Sequence, residues 1–382
     1  MNELFDRCRA DLPAAMKFWE EIVNIDSGSG DTEGLRRIAG VLERELAALG
    51  FTITRHPAKG PESEYNIVAV KEGAGEKSAL LMAHMDTVFP AGTVAERPFT
   101  IKGDWAHGPG VSDCKAGIVN IIYALKILEP QDYKRITVLF NCDEEITSPS
   151  SKDIVIAEAK KHDFALSYEP GGPGDTICLG RKGNAKIKVS AYGKNSHAGT
   201  HPEKGINALT ELVWQVNRMR DLGDKEKKTS AVFTRITCGD RLNVVPDKGE
   251  AWADVRVALP AELDRLESDL KRLIGEKILP DSRVEAELIR NRPPFPENET
   301  TQKLADLAAK IYAEIGMPPL KGEAVGGVGD INFAYPTGVA CLCRLGSPSG
   351  GPNHSPDENN YIPAMAPRTY LSVRLIRELC GK

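Results

Sequence analysis

The sequence lacks the features that mark membrane proteins, exported proteins and disulfide scaffolds. None of its 382 residues belongs to an apolar run approaching the ~18 residues that cross a membrane. The N-terminal segment is charged and has no apolar stretch of the kind found in signal peptides. The eight cysteines show no pairing rhythm, which is typical of reduced thiols. We therefore expect a cytoplasmic protein with no membrane partner.

Positive charge is also scarce. The chain has 49 Lys and Arg against 54 Asp and Glu, which gives a formal net charge of −5. Its densest basic run, at 225–228, is interrupted by Glu226 and is typical of a solvated loop. A mildly acidic chain without a basic stripe predicts no nucleic-acid partner. With 41% hydrophobic residues the composition is that of a globular protein, long enough for two or three domains.

The first half of the chain alternates helix patterns with short apolar runs. Apolar residues recur at helical spacing over 32–50 and 115–128. The β-rich apolar runs are Asn66–Val70, Ala79–Ala83, Ile136–Phe140 and Phe164–Ser167. Runs of this length are typical of strands that are buried on both faces. The order strand, helix, strand predicts a three-layer α/β/α domain with a mostly parallel sheet.

The pattern changes near Gly180. Polar and apolar residues alternate over 185–191 and over parts of 231–237 and 251–257. Alternation is typical of strands with one solvent-exposed face, and therefore of an antiparallel sheet. Amphipathic helix patterns separate these strands, at 205–219 and 261–274. The order of elements predicts a small two-layer α+β domain.

The last part of the chain resembles the first half again. A stiff Arg-Pro-Pro segment begins at Arg292, and helix and buried-strand patterns follow it. We therefore interpret 182–292 as a domain inserted into a discontinuous α/β domain, which consists of 1–181 and 293–382.

Histidines and carboxylates follow the buried runs at the points where the strands would end. They are His84 and Asp86, Asp143–Glu145, Glu169, and His354 in a loop after a further apolar run, with Asp113 just before the 115–128 helix. Because ligands bind at the carboxyl ends of strands in an α/β sheet, we expect these side chains to meet at one edge. Histidine and carboxylate ligands suit zinc, with cobalt or manganese as substitutes.

Each of these residues also has an ordinary interpretation. A lone histidine is usually a core or surface residue, Asp143–Glu145 could be a solvated acidic turn, and Asp113 could cap the helix that follows it. Together at one edge, however, the carboxylates would repel one another without a cation. The chain has no His-Glu-x-x-His, Gly-x-Ser-x-Gly, Walker or Gly-x-Gly-x-x-Gly motif that would indicate another chemistry.

The same motifs resemble the two-zinc aminoacylase/carboxypeptidase family of metallopeptidases, which includes glutamate carboxypeptidases, acetylornithine deacetylases, succinyl-diaminopimelate desuccinylases and tripeptidases. The matching motifs are His84-Met-Asp86-Thr-Val, Gly110-Val-Ser-Asp113-Cys-Lys115, Asp143-Glu144-Glu145, Glu169-Pro and His354-Ser-Pro-Asp357. The segments around His197, Asn207 and Asn243 resemble the lid or dimerisation domain of the family. The resemblance spans nearly the whole chain, with the motifs in the family's order.

The resemblance implies a ligand set for two zinc ions. His84, Asp113 and Glu169 would hold one ion. Asp113, Glu145 and His354 would hold the other, so that Asp113 bridges the pair. Asp86 would orient His84, as metal-bound histidines usually require.

It also implies the roles of the remaining site residues. Glu144 would be the general base that activates a zinc-bound water for attack on an amide carbonyl, and His197 of the lid would stabilise the oxyanion. Asn243 and Arg256 would grip the substrate carboxylate, and Arg292 would meet an acidic side chain of the released residue. Surface or packing roles for His197, Arg256 and Arg292 stay open at this point.

The predicted function is a zinc metallopeptidase that releases a C-terminal, acidic amino acid from a small peptide or an N-acyl amino acid. The alternative is an N-acyl-amino-acid deacylase or a di- or tripeptidase with the same mechanism. A catalytically dead binding protein of this fold is disfavoured because every expected metal ligand and Glu144 are present. The antiparallel strands of the lid leave edges to be paired, which favours a homodimer.

Overall fold

The structure is a computed structural model that describes residues 2–60 and 62–382. The chain divides into two compact units. The first unit consists of Met1–Gly180, Glu297–Val325 and Gly329–Lys382, and the second of Arg181–Pro296 and Gly326–Val328. The second unit contains the proposed insertion 182–292. The roles given to the two domains, a di-zinc catalytic domain and a lid or dimerisation domain, stay predictions.

Helices and strands alternate along most of the chain. The helices are α1 (Glu3–Val23), α2 (Thr32–Ala48), α3 (Thr93–Glu96), α4 (Gly117–Leu125), α5 (Lys152–Ala159), α6 (Ala208–Met219), α7 (Pro260–Leu273), α8 (Glu299–Ala313), α9 (Ile331–Ala334) and α10 (Met365–Cys380). The strands are β1 (Thr52–Pro57), β2 (Tyr65–Glu72), β3 (Ser78–His84), β4 (Thr100–Lys102), β5 (Trp105–His107), β6 (Arg135–Asn141), β7 (Phe164–Ser167), β8 (Thr176–Arg181), β9 (Gly183–Tyr192), β10 (Ser196–His197), β11 (Ser230–Cys238), β12 (Val244–Val245), β13 (Lys248–Val257), β14 (Arg283–Arg290), β15 (Lys321–Val325), β16 (Ala340–Cys343) and β17 (Asn359–Tyr361). No helix of the described residues has both the length and the apolar character needed to cross a membrane.

The first unit is built on an eight-stranded sheet in the order β1-β2-β6-β3-β7-β16-β8-β15. Its four central strands, β6, β3, β7 and β16, run parallel to one another. The outer strands β1, β2 and β8 pair antiparallel. Every residue of β3 is buried, as its continuous apolar run predicted. The predicted α/β class with a large parallel core is therefore confirmed.

The ends of the helices follow local capping rules. The Asp31 side chain accepts a hydrogen bond from the Gly34 N–H at 3.1 Å and starts α2. Gly50, with a φ of +79°, follows the end of that helix, where a left-handed residue is favoured. Pro367 lies in the first turn of α10, which begins at Met365. Proline is tolerated in the first turn, where its missing N–H has no acceptor within the helix.

The second unit contains a four-stranded antiparallel sheet in the order β11-β13-β9-β14. Alternate residues of β13 are buried, which is the pattern that the sequence predicted for a strand with one wet face. Apolar residues of α6 and α7, among them Leu212, Leu266 and Leu270, form one buried cluster with the sheet. The predicted separate antiparallel sheet is thus confirmed.

A buried arginine fixes the loops that follow β7 and β16. The Arg368 side chain of α10 is fully buried, and its Nε donates to Asp175 at 2.9 Å. Its Nη1 donates to the Arg344 carbonyl at 2.8 Å, and its Nη2 to the Thr176 carbonyl at 3.2 Å. Removal of one partner from such a buried pair leaves the other charge and the carbonyls uncompensated.

We predict that Arg368→Met lowers the free energy of unfolding by about 3 kcal/mol, because it removes the partner of the half-buried Asp175 carboxylate and of two carbonyls in the first unit. The measurement is urea-induced unfolding followed by circular dichroism. Arg374→Met on the same helix is the matched control. Its partners Glu314 and Glu378 are partly exposed, so its loss should be below about 1 kcal/mol. Equal losses for the two variants would contradict this account.

Candidate metal centre

The parallel strands of the first unit bring the predicted ligands to one edge of the sheet. β3 ends at His84, which lies opposite Asn141 at the end of β6. Asp143–Glu145 continues from β6, and Glu169 lies two residues beyond the end of β7. Because β6, β3 and β7 are adjacent and parallel, their carboxyl ends lie side by side at one edge of the sheet.

Asp113 lies between the two histidines. Its Oδ1 is 3.0 Å from Nε2 of His84, and its Oδ2 is 3.4 Å from Nε2 of His354. His354 Nε2 is also 3.2 Å from Oε2 of Glu145. Each carboxylate oxygen of Asp113 therefore faces a different histidine, which is the arrangement of a bridging carboxylate.

The electrostatics of the cluster show how strongly the carboxylates attract positive charge. Hydrogen bonds to Asp113 and Glu145 raise the pKa of His354 to about 10. Burial would raise the pKa of Asp113, but His354 and His84 outweigh it and hold that pKa well below its usual range. Burial raises the pKa of Glu145. His354 therefore binds a proton readily when no metal is present, and a metal ion would displace that proton.

The donor atoms fit a metal ion. Ligand atoms of His84, Asp113 and Glu145 all lie within 4.8 Å of one another, and so do those of His84, Cys114 and Glu169. Glu145 Oε1 is buried and has no hydrogen-bond partner among the residues that the structure describes. A buried carboxylate oxygen without a donor is stabilised by a cation. Imidazole and carboxylate groups are ligands that zinc accepts.

Cys114 lies inside this cluster as a neutral thiol. Its Sγ donates to the Tyr168 carbonyl at 3.1 Å, and burial raises its pKa well above the usual value. The peptide bond between Asp113 and Cys114 is cis. The hydrogen bond to the Tyr168 carbonyl engages this thiol with the main chain.

Asp86 holds the turn that carries the acidic residues, a role that the sequence analysis did not assign to it. Its carboxylate accepts the backbone N–H groups of Glu144 and Glu145, each at 3.1 Å, and the hydroxyl of Ser29 at 2.7 Å. His84 contacts Asp86 chiefly through the backbone carbonyl, at 2.9 Å from Nδ1, and lies 3.4 Å from its carboxylate. Asp86 is fully buried and thus connects His84 with the Glu144–Glu145 turn.

His197 and Asn243 lie close together in the second unit. β10 and β12 pair so that His197 lies opposite Val244, and the Ala198 N–H donates to the Asn243 carbonyl at 2.9 Å. His197 is exposed, and its Nδ1 accepts the N–H groups of Gly199 and Thr200 at 3.1 and 3.2 Å. In the neutral ring the hydrogen must therefore reside on Nε2.

Arg256 and Arg292 lie at one end of the four-stranded sheet, away from the β10–β12 pair. Arg256 of β13 is opposite Asn184 of β9, and the Arg292 N–H donates to the Asn184 side chain at 3.0 Å. Arg256 already pairs with Asp254, at 2.9 Å from its Nε. Arg292 is buried. Both arginines are therefore remote from His197 within this unit.

Two further residues support the metal cluster and were missed by the sequence analysis. Asn353 donates from Nδ2 to Oδ2 of Asp113 at 3.0 Å. Glu358 accepts backbone N–H groups of the Gly110–Asp113 segment. Their closeness in sequence to His354 was the only available signal, because no periodicity marks a contact between segments so far apart in the chain.

Comparison with known proteins identifies similar sequences among peptidases and deacetylases. The model of peptidase family M20/M25/M40 matches residues 80–378. The chain is 39% identical to carboxypeptidase G2 of Pseudomonas sp. (strain RS-16), and the match covers 99% of this chain and 92% of that protein. It is 24% identical to the acetylornithine deacetylase of Proteus mirabilis, over 97% of each chain.

Solved structures share the fold. The aminopeptidase PepT of Bacillus cereus superposes with a TM-score of 0.79 at 22% identity, over 96% of this chain and 98% of that one. A tripeptidase of Staphylococcus aureus gives a TM-score of 0.78 at 21% identity, over 96% and 99%. The family match covers well over half of the chain and includes every predicted metal ligand. The chain therefore belongs to peptidase family M20/M25/M40, as a metal-dependent exopeptidase or amide hydrolase.

Proposed function

We propose that the protein is a two-zinc carboxypeptidase that releases a C-terminal acidic residue from a small peptide or an N-acyl amino acid. The position of Asp113 carries the proposal, because its two oxygens face His84 and His354 separately. In this arrangement His84, Asp113 and Glu169 hold one ion, and Asp113, Glu145 and His354 hold the other. Cobalt or manganese could replace zinc at such ligands.

Glu144 is the proposed general base. When bound, the two ions would lower the pKa of a water molecule and polarise the scissile carbonyl. The Glu144 carboxylate, which is largely buried, takes a proton from the attacking water and later gives it to the leaving amine. Its neighbour Glu145 is a proposed ligand, and Asp86 fixes the backbone N–H groups of both residues. One turn thus places a ligand and a base side by side.

His197 is the proposed donor to the oxyanion. Because its Nδ1 accepts two backbone N–H groups, the neutral ring presents its N–H at the exposed Nε2. A fixed N–H donor of this kind stabilises the negative oxygen that forms when water adds to a carbonyl. Asn243, which directly precedes β12, would bind the same substrate as His197.

Arg292 is the proposed partner of the acidic side chain of the substrate. Its guanidinium belongs to a largely buried residue, where an ion pair with a carboxylate is screened less than at the surface. A guanidinium can bind a carboxylate through two parallel hydrogen bonds. Arg256 would take the terminal carboxylate, although it must share its guanidinium with Asp254.

The separation of these groups supports a homodimer. Lys248 and Arg256 lie eight residues apart on β13, which corresponds to about 26 Å at ~3.3 Å per residue. His197 and Asn243 adjoin the Lys248 end, so one small substrate cannot contact them and the arginines of the same chain. We therefore propose that His197 and Asn243 act on the substrate of a second copy.

The second unit also has the surface that a dimer would need. β11 lies at the edge of the four-stranded sheet, and its Val232 and Ile236 are 56% and 50% exposed. Leu209 and Val213 of α6 are exposed as well. Exposed apolar residues beside an unpaired strand edge are typical of a protein–protein interface.

A cytoplasmic location is part of the same proposal. All eight cysteines are free, and seven of them are buried. Free thiols are typical of a reducing compartment.

We predict that zinc-loaded protein releases amine from N-acyl-glutamates and N-acyl-aspartates, and that Glu144→Gln reduces kcat by about 10²–10⁴-fold. The amide cannot accept the water proton, whereas its similar size preserves the turn. Amine release is measured with a fluorogenic reagent, and zinc content and thermal midpoint are measured alongside. The exposed Glu20→Gln on α1 is the matched control and should keep wild-type activity.

Amine release is also measured from neutral N-acyl amino acids and from dipeptides, which serve as comparison substrates. Release confined to acidic C-terminal residues supports the role given to Arg292. Preference for neutral substrates would replace that role with the deacylase alternative, which the similarity to an acetylornithine deacetylase also suggests. No release above that of Glu144→Gln from any substrate, with zinc bound, would contradict the proposed function.

We also predict that a heterodimer of Glu144→Gln and His197→Ala has about half of the wild-type activity, although each homodimer is nearly inactive. If His197 acts on the partner's substrate, one site of the heterodimer receives both intact residues. The two chains are co-expressed with different tags and purified by both tags. A heterodimer of Glu144→Gln and His84→Ala is the control and should stay inactive. An inactive first heterodimer, or failure to recover any heterodimer, would contradict the proposal.

A further inference from the structure

The buried carboxylate of Glu358 has no part in the proposed reaction. The residue lies four positions after His354, directly before β17, and is 1% exposed. Burial of a carboxylate is unfavourable unless several donors compensate it. A carboxylate that is kept so close to the metal ligands therefore requires an explanation.

Three backbone N–H groups point at this carboxylate. Glu358 Oε1 accepts from Ser112 at 2.9 Å and from Asp113 at 3.0 Å, and Oε2 accepts from Gly110 at 3.2 Å. Both oxygens are thus engaged with the main chain of the segment that carries Asp113. In this arrangement Glu358 anchors backbone and does not belong to the ligand set.

The segment needs an anchor because its backbone is irregular. Gly110 has a φ of +69°, and an added Cβ there would lie 2.4 Å from Thr87 Cγ2. Asp113 and Cys114 have non-helical dihedral angles inside the turn Val111–Ala116. A regular ladder of helical hydrogen bonds cannot therefore hold this turn, and its N–H groups need other acceptors.

Further contacts join the same two segments. Asn353 donates to Oδ2 of Asp113 at 3.0 Å, and Asn360 donates to the Ser112 hydroxyl at 3.0 Å. The stretch 353–360, which carries His354, thus makes hydrogen bonds to the Asp113 turn through three residues, Asn353, Glu358 and Asn360. Two ligands from distant parts of the chain are fixed relative to each other through these bonds.

We propose that Glu358 is a positioning residue that presets Asp113 and His354 for metal binding. The inference rests on the proposed two-metal function. It states that Glu358 increases the affinity of the site for metal. By accepting three N–H groups, Glu358 fixes the backbone of Asp113, and its own chain segment fixes His354. Partners that orient metal ligands typically change metal affinity by about 10–100-fold when they are lost.

The test compares Glu358→Gln with a matched variant of another buried carboxylate. Glu211 of the second unit is fully buried and accepts from the Leu279 N–H at 2.8 Å and the Ser282 hydroxyl at 3.0 Å. The dissociation constant for zinc is measured by competition with a chromophoric chelator, below the thermal midpoint of every variant. Glu358→Gln places an amide NH₂ against backbone N–H groups, so we expect zinc to bind at least tenfold more weakly. Glu211→Gln should lower the thermal midpoint and leave zinc affinity unchanged.

Other outcomes separate the two proposals. Wild-type zinc affinity in Glu358→Gln, or equal losses in both variants, would overturn the role of Glu358. Failure of the wild-type protein to bind zinc would instead overturn the proposed function. If Glu358→Gln does not fold, Glu358→Asp keeps the charge and withdraws it by one methylene. It should then weaken zinc binding by a smaller factor, and unchanged affinity would again overturn the role.

Discussion

Asp113 faces His84 with one carboxylate oxygen and His354 with the other. The strands and loops of the first unit bring these three residues together from distant parts of the chain. His84 comes from the end of a central parallel strand, and His354 comes from a loop near the other end of the chain. The carboxylates hold so much negative charge that the pKa of His354 rises to about 10. Such a cluster is stable when cations balance it, and two metal ions in place of two protons satisfy that requirement.

The surrounding hydrogen bonds extend this constraint to the proposed catalytic groups. Asp86 binds the backbone of the Glu144–Glu145 turn, and Glu358 binds the backbone of the Asp113 turn. Both carboxylates are buried and both accept main-chain N–H groups. Ligands and base are therefore held by side chains whose own polar atoms are satisfied. Preorganisation of this kind keeps a reactive water and a base at fixed positions and reduces the entropy lost during reaction.

The second unit is suited to a different task. Its residues that resemble substrate-binding groups lie in two separate places, with His197 in the two-stranded β10–β12 sheet and Arg256 near the end of β13 in the four-stranded sheet. This separation is the basis of the proposal that two copies contribute to one substrate site. The exposed apolar residues of the edge strand β11 support the proposal that two copies pair through this unit. Dimerisation would then be a requirement for activity as well as a source of stability.

The sequence predicted the fold class and the side chains that meet at the edge of the sheet, because both depend on local patterns. Buried runs locate the parallel strands, and the polar residue after each run marks the end of a strand, as His84 and Glu169 do. The edge strand β1 was not predicted, because most of its residues are exposed and it has no continuous apolar run. The contacts of Asp86 and Glu358 also escaped prediction. They join side chains to backbone N–H groups of distant segments, and no residue spacing encodes such contacts.

The central claim is that Asp113 bridges two metal ions. Anomalous diffraction at the zinc absorption edge, from crystals of the zinc-loaded protein, tests it most directly. The account predicts two peaks about 3.5–4 Å apart on either side of the Asp113 carboxylate. One peak should also contact His84 and Glu169, and the other Glu145 and His354. A single peak, or two peaks that Asp113 does not bridge, would contradict the account.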